Sequence, residues 1–117
     1  MTKRIKIDLD AKGDGTLECV GYKTFPCQGR PGVTYHKDVT LQTSDKELLH
    51  HSHEFAGVDM PYALRVYSER GIYIHEWQFC SSAGGTSAGC IHLCSPTAKL
   101  VYDWIDGPTR ITIEYPW

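Results

Sequence analysis

Short segments in which apolar and polar residues alternate recur along the chain, and they limit the folds it can adopt. The alternation is clear in RIKIDLD, residues 4–10, where Ile5, Ile7 and Leu9 fall on one face. TRITIEY, residues 109–115, repeats the same pattern. A period of two is typical of strands that bury one face. The sequence therefore predicts a domain that is mainly β.

Turn residues indicate how these segments connect. The Gly-Asp-Gly of residues 13–15 joins the first segment to TLECVGY, residues 16–22, as a hairpin. YALRVY, residues 62–67, and GIYIH, residues 71–75, form a second strand pair. Residues 33–43 carry Val, Thr and Tyr, which favour a further strand.

Other segments predict loops or helices. FPCQGRPG, residues 25–32, contains two prolines and two glycines and is interpreted as a loop. Ser44 with Glu47 three residues later predicts a short capped helix or turn at 44–55. The principal helix is PTAKLVYDWID, residues 96–106, which Gly107 ends. Ser95 and Pro96 begin it, and its apolar face consists of Leu100, Val101, Trp104 and Ile105.

Size and charge narrow the classes of function. A chain of 117 residues predicts one domain, residues 1–117. Twelve basic and fourteen acidic side chains give a net charge of −2, which does not favour binding to nucleic acid or to an anionic membrane. No apolar run predicts membrane insertion, and MTKRIKIDLD does not resemble a signal peptide.

One cysteine stands in an unusual position. GGTSAGCIHLCSP, residues 84–96, places Cys90 behind Gly89 in a loop-like stretch just before the predicted helix. A thiol becomes a nucleophile as the thiolate, which requires a proton acceptor, and the main-chain amides of residues 88–90 can stabilise an oxyanion. Most of the other cysteines are interpreted as buried apolar residues, and a Cys19–Cys27 disulfide stays open for an oxidising environment.

Six histidines are candidates for the base, and spacing alone does not choose among them. His75 is favoured on local grounds, because it ends the apolar segment GIYIH and opens the loop that leads back to Cys90. An ordinary strand-end histidine is the alternative.

Two segments together suggest a family. MPYALRVYSERGIYIHEW followed by GGTSAGCIHL and then PTAKLVYDWIDGPTRITI resembles the L,D-transpeptidase catalytic domain (YkuD-type), over residues 58–113. The resemblance implies a small β-sandwich or barrel-like α+β domain with one principal helix after the catalytic cysteine. It implies no cofactor and no metal.

The resemblance also implies roles for individual residues. Cys90 corresponds to the nucleophile and His75 to the general base, with the amides of Gly89 and Cys90 as the oxyanion hole. The main-chain carbonyl of Glu76 is expected to orient the imidazole, and Ser87 to shape the loop. Tyr62 and Trp77 flank the expected cleft by sequence, and His92 is expected at the substrate.

The chain departs from the family pattern at three points. Ala88 replaces a second histidine, as in a subgroup of interbacterial toxins delivered by type VI secretion. His92 replaces the usual Arg or Asn, which leaves open how a substrate carboxylate is held. The connection from His75 to Ser87 is short, which favours an open cleft and water as acceptor.

The implied activity is acyl transfer on peptidoglycan tetrapeptide stems. An acyl-enzyme on Cys90 passes to an amine, as in L,D-transpeptidation or D-amino acid exchange, or to water, as in an L,D-carboxypeptidase. The expected site of action is the periplasm or cell wall, after non-classical secretion or lysis. An immunity protein is an expected partner of a toxin.

Two other functions are alternatives to an enzyme. An inactive cell-wall-binding or structural module of the same fold would explain Ala88 and His92. A zinc site would use His50 and His53 or Cys90 and Cys94, but neither spacing matches a paired zinc motif.

Overall fold

The computed structural model describes residues 2–32, 34–35, 37–51, 59–67, 72–76, 90–94 and 96–117, without the side chains of residues 50, 51, 59, 60, 67 and 72. Within these ranges there are nine strands, one α-helix and a 3₁₀ turn at Thr43–Asp45. The strands are β1 (Lys3–Leu9), β2 (Asp14–Cys19), β3 (Lys23–Gln28), β4 (Asp38–Leu41), β5 (Lys46–His51), β6 (Asp59–Tyr67), β7 (Ile72–Glu76), β8 (Ile91–Leu93) and β9 (Thr109–Glu114). The helix, α1, is Thr97–Trp104.

The nine described strands form one mixed sheet in the order β4-β9-β1-β2-β3-β8-β7-β6-β5. Two neighbouring pairs are parallel, β1 with β9 and β7 with β8, and the other pairs are antiparallel. β4 also packs against β6, so the sheet curls into a half-barrel. The prediction of a mainly β, barrel-like domain with one principal helix is confirmed.

Alternating side chains of the sheet fill the inside of the curl. Ile5, Ile7 and Leu9 are buried while their neighbours on β1 are exposed or partly exposed, as the period of two predicted. β9 repeats this arrangement with Ile111 and Ile113. The core also contains Leu17, Phe25, Leu64, Ile74, Ile91, Leu93, Ala98, Val101 and Ile105. This apolar packing fixes the strands that carry the site.

The interpretation of residues 25–32 as a loop is wrong for residues 25–28, which belong to β3. Phe25 and Cys27 alternate into the core, and this burial outweighs the local effect of Pro26. β3 pairs with β8 only at Gln28, so Pro26 lies where a missing main-chain N–H costs little.

The predicted short helix or turn at 44–55 is also wrong for residues 46–51, which form a strand. Thr43–Asp45 form a single 3₁₀ turn, which Gln42 rather than Ser44 precedes as the cap. The main-chain N–H of Gln42 donates to Asp45 Oδ2 at 2.8 Å. The chain then continues as β5, because residues 46–51 pair with β6 and obtain their hydrogen bonds there.

The principal helix lies where the sequence predicted it, although Pro96 is its cap and Ile105 ends it. Ala98, Val101 and Ile105 face the core, whereas Leu100 and Trp104 are only partly buried. No helix in the described part of the chain is long and apolar enough to cross a bilayer.

Candidate active site

His75 lies on an interior strand of the sheet. Its strand β7 is flanked by β6 and β8, and its side chain is 2% exposed. His75 Nδ1 lies 2.8 Å from the main-chain oxygen of Glu76. A carbonyl oxygen can only accept a hydrogen bond, so this contact requires the proton on Nδ1 and leaves the lone pair on Nε2. The imidazole is thereby oriented as a base through Nε2.

Cys90 immediately precedes β8 and is partly exposed. It packs against Ala63 of β6 and Tyr73 of β7. The parallel register pairs Ile74 with Ile91 and His75 with His92, so Cys90 falls opposite Tyr73 and two positions before His75. Because side chains alternate across a strand, Tyr73, His75 and Cys90 share one face of the sheet. Such diagonal neighbours lie within reach of long side chains.

The side chains of His75 and Cys90 differ in their exposure to solvent. Cys90 is partly exposed, but the imidazole is almost fully buried. A strand in the middle of a sheet has neighbours on both sides, and here the ring of His92 also packs against that of His75.

His92 is the direct neighbour of His75 across β7 and β8. The two ring centroids lie 4.8 Å apart, with 65° between the ring planes. Burial and, to a smaller extent, the positive charge on His75 lower the pKa of His92 to about 4. At neutral pH the side chain of His92 therefore carries no charge, unlike an arginine at this position.

Gln28, which the sequence analysis did not single out, lies opposite His92 on β3. Its Oε1 is buried and accepts no hydrogen bond from the described residues. A cavity of about 20 Å³ lies here, bounded by Pro26, Cys27, Gln28, His92 and Cys94. It has room for one water molecule. No sequence motif marks Gln28, because only the β3–β8 pairing brings it to the site.

Arg30 and Tyr35 lie at the same end of the sheet and were also missed. The main-chain N–H of Arg30 donates to the hydroxyl of Tyr35 at 2.9 Å, and the side chain of Tyr35 is buried. Burial raises the pKa of Tyr35 to about 12, the hydrogen bond from Arg30 lowers it, and the charge of Cys90 raises it. Arg30, Tyr35 and Cys90 are therefore electrostatic neighbours.

Cys19 and Cys27 are both buried, and neither forms a disulfide. Cys27 pairs with Gly15 and Cys19 with Lys23, so the two cysteines are four positions apart along the β2–β3 hairpin. That separation is about 13 Å, well beyond disulfide range, and the suggested Cys19–Cys27 bridge is wrong. Burial raises the pKa of each of these two thiols to about 12.

Of the other site residues predicted from the sequence, Tyr62 is described by the structure and several are not. Tyr62 packs against Tyr102 of α1, with ring centroids 5.6 Å apart, and has a φ of 53°. This contact with the helix places it in the packing around the core rather than beside Cys90. Ser87, Ala88, Gly89 and Trp77 lie outside the described residues, as do His53 and the side chain of His50.

In the described ranges, no three His, Cys, Asp or Glu side chains gather closely enough to hold a metal ion.

A comparison with models of protein families assigns the chain to one family. Residues 29–113 match the family model described as the L,D-transpeptidase catalytic domain (YkuD). The match spans most of the chain, and the chain belongs to this family. A comparison with curated proteins found no match.

Solved structures agree on the fold. An L,D-transpeptidase from Stackebrandtia nassauensis is 20% identical, with a TM-score of 0.74, and the alignment covers 97% of this chain and 56% of that one. One from Mycobacterium smegmatis is 21% identical, with a TM-score of 0.68 and coverages of 96% and 59%. L,D-transpeptidase 3 from Mycobacterium tuberculosis, in complex with a faropenem-derived adduct, is 17% identical, with a TM-score of 0.66 and coverages of 96% and 60%. The chain thus spans little more than half the length of these structures.

Proposed function

We propose that this protein is a cysteine-dependent acyltransferase that acts on peptidoglycan tetrapeptide stems. Cys90 is the nucleophile and His75 the general base. The observation that carries the proposal is the contact between His75 Nδ1 and the oxygen of Glu76, which holds the ring with Nε2 as acceptor on the face that carries Cys90. Membership of the L,D-transpeptidase family supports the substrate class.

The reaction begins with transfer of the Cys90 proton to His75 Nε2. The thiolate attacks the carbonyl carbon of the amide between the L-centre of diaminopimelate and the terminal D-alanine. The amide N–H groups of Gly89 and Cys90 stabilise the oxyanion of the tetrahedral intermediate. The C–N bond then breaks, the imidazolium of His75 protonates the departing amine, and a thioester remains on Cys90.

The acceptor decides the product. An amine that attacks the thioester forms a new amide, which is a cross-link or an exchanged D-amino acid. Water forms a free carboxylate, which is the L,D-carboxypeptidase reaction. In both cases His75 takes a proton from the acceptor, and the Cys90 thiol is regenerated. We propose that both acceptors are used, with water favoured by the short connection between His75 and Ser87.

The proposed setting is an antibacterial effector that acts in the periplasm or cell wall of a target cell. Ala88, in place of a second histidine, is the feature that it shares with the type VI secretion toxin subgroup. Such an effector requires an immunity protein in the producing cell. Expression directed to the periplasm should therefore stop growth, and Cys90→Ala should abolish this toxicity.

The enzymatic proposal is tested by incubating the protein with purified tetrapeptide stems and following the products by mass. Wild type should release D-alanine, and added D-amino acids should appear in the stem. Cys90→Ala should do neither, whereas the matched control Cys94→Ala, which removes a partly exposed cysteine four residues away, should retain activity. Unchanged stems that nevertheless bind wild type would establish the inactive cell-wall-binding module instead.

A β-lactam gives an independent test of the nucleophile. Because the M. tuberculosis L,D-transpeptidase 3 structure contains a faropenem-derived adduct, faropenem is a suitable probe. Intact mass should increase in wild type and in Cys94→Ala, and should stay unchanged in Cys90→Ala. An adduct of equal yield in Cys90→Ala would show that another group reacts.

A further inference from the structure

A terminal D-alanine carries a carboxylate next to the scissile amide, and a cation forms the strongest hydrogen bonds to such a group. His92 cannot supply one at neutral pH. It is 5% exposed and packed against His75, and its burial lowers its pKa to about 4. A positive charge near Cys90 must therefore come from another residue.

Arg30 lies at the required position. β3 and β8 are antiparallel, and Gln28 pairs with His92. β3 ends at Gln28 and β8 begins at Ile91, so Arg30 and Cys90 both lie just beyond this pair, at the same end of the β3–β8 pairing. Continuing the alternation of side chains by two residues predicts that Arg30 lies on the face that carries His92 and Cys90. The side chain of Arg30 is exposed, so its guanidinium is accessible from solvent.

The backbone of Arg30 is held in place. Its N–H donates to the hydroxyl of Tyr35 at 2.9 Å. Tyr35 is itself fixed, because Tyr115 donates a hydrogen bond to its main-chain oxygen at 3.0 Å and the two rings pack edge to face. Gly29 permits this arrangement, since an added Cβ would lie 2.7 Å from Leu9 Cδ1 and 3.0 Å from the Tyr35 hydroxyl.

The electrostatic environment of Tyr35 includes both Cys90 and Arg30. The Tyr35 hydroxyl responds to the negative charge of Cys90, which raises its pKa, and to the guanidinium of Arg30, which lowers it. Arg30 and Cys90 are therefore both electrostatic neighbours of the same buried hydroxyl.

Arg65 also lies on this face, but it is further from Cys90. It lies on β6 opposite Tyr73, one strand further from Cys90.

We propose that Arg30 determines specificity by binding the terminal carboxylate of the acyl donor beside Cys90. Arg30 thereby directs the enzyme to the last peptide bond of a stem rather than to an internal bond. This inference rests on the proposed function, and it adds a group that distinguishes a free carboxylate from an amide.

Binding is measured first, in the Cys90→Ala background, so that no chemistry is needed. The ligands are a tetrapeptide stem with a free terminal carboxylate and the same stem with a terminal carboxamide. Charge-assisted hydrogen bonds predict that the protein with Arg30 prefers the acid by about tenfold or more. Arg30→Gln should remove that preference, and Arg30→Lys should keep part of it. Arg4→Gln, which removes an exposed arginine on β1, is the matched control and should change nothing.

Turnover is measured second, with Cys90 intact. Arg30→Gln should raise KM for the acid by a similar factor and leave KM for the carboxamide unchanged, with little effect on kcat for either stem. An equal loss on both ligands, or no loss on either, overturns the role of Arg30. If wild type releases no D-alanine while the acid preference in binding persists, the proposed catalysis fails and the recognition by Arg30 stands.

Discussion

His75 and His92 face each other across two parallel strands, with their ring centroids 4.8 Å apart. The two histidines differ in their surroundings. His75 is oriented by the carbonyl of Glu76, whereas burial is the main cause of the lowered pKa of His92. One imidazole is thus placed to accept a proton, and its neighbour stays neutral beside it.

The neutrality of His92 predicts how stability depends on pH. Its pKa is about 4 in the folded protein and near 6.5 when unfolded, so the unfolded state binds more protons between these values. The free energy of unfolding should be highest above pH 6.5 and fall as the pH approaches 4, by about 3 kcal/mol from this residue. Urea unfolding of wild type and His92→Asn at pH 7, 5 and 4 measures the difference. Parallel pH profiles for the two proteins would show that His92 is not buried as a neutral ring.

Replacement of His75 removes the proton acceptor. His75→Gln should lower the rate of D-alanine release by about 100-fold to 10,000-fold, which is the range for a lost general base. His92→Asn, at the neighbouring position, should lose far less, because His92 takes no proton in the mechanism. The initial rates of D-alanine release from the tetrapeptide stem measure the loss in each variant. Equal losses in the two variants would mean that the pair acts only through packing.

The environments of the cysteines predict their reactivity. Burial raises the pKa of Cys19 and of Cys27 to about 12, which leaves about a thousandfold less thiolate than at the ordinary value of 9.0. Iodoacetamide at pH 8 should therefore modify Cys90 in the folded protein and modify Cys19 and Cys27 only after unfolding. Peptide mapping by mass follows each site separately. Modification of Cys19 or Cys27 as fast as that of Cys90 would contradict their burial.

A substitution at Gly15 tests how closely β1 and β2 approach each other in the sheet that supports the site. It pairs with Leu9 of β1, and a Cβ added there would overlap the main-chain oxygen of Asp8. Gly15→Ala should therefore destabilise the protein by about 3 kcal/mol, as a backbone shift is required. Gly107→Ala is the matched control, because an added Cβ meets nothing within 4 Å there. Similar midpoints of thermal unfolding in the two variants would rule out the close approach of β1 and β2.

The strands that alternate over five or more residues were predictable from sequence, because their pattern is local. β1 and β9 follow it closely, with Ile5, Ile7, Ile111 and Ile113 buried. Their parallel pairing was not predictable, since it joins the two ends of the described chain. β8 was missed because it has only three residues, all of them buried. β3 was missed because Pro26 concealed the alternation of Phe25 and Cys27.

The local sequence singled out Cys90 and favoured His75, and the resemblance to a family, whose membership is now shown, added Glu76 and His92. Gln28 and Arg30 reach the site through the pairing of β3 with β8, which leaves no trace in the local sequence. The burial of His75 depends in the same way on strands that are distant along the chain.

The central claim is that the Cys90 sulfur takes the acyl group with His75 as its base. Wild type and His75→Gln are mixed with the tetrapeptide stem, quenched in acid at short times, and analysed by intact mass and peptide mapping. The account predicts a thioester on Cys90 that forms rapidly in wild type and much more slowly in His75→Gln. An acyl group mapped to any other residue, or equal rates in the two proteins, would contradict it.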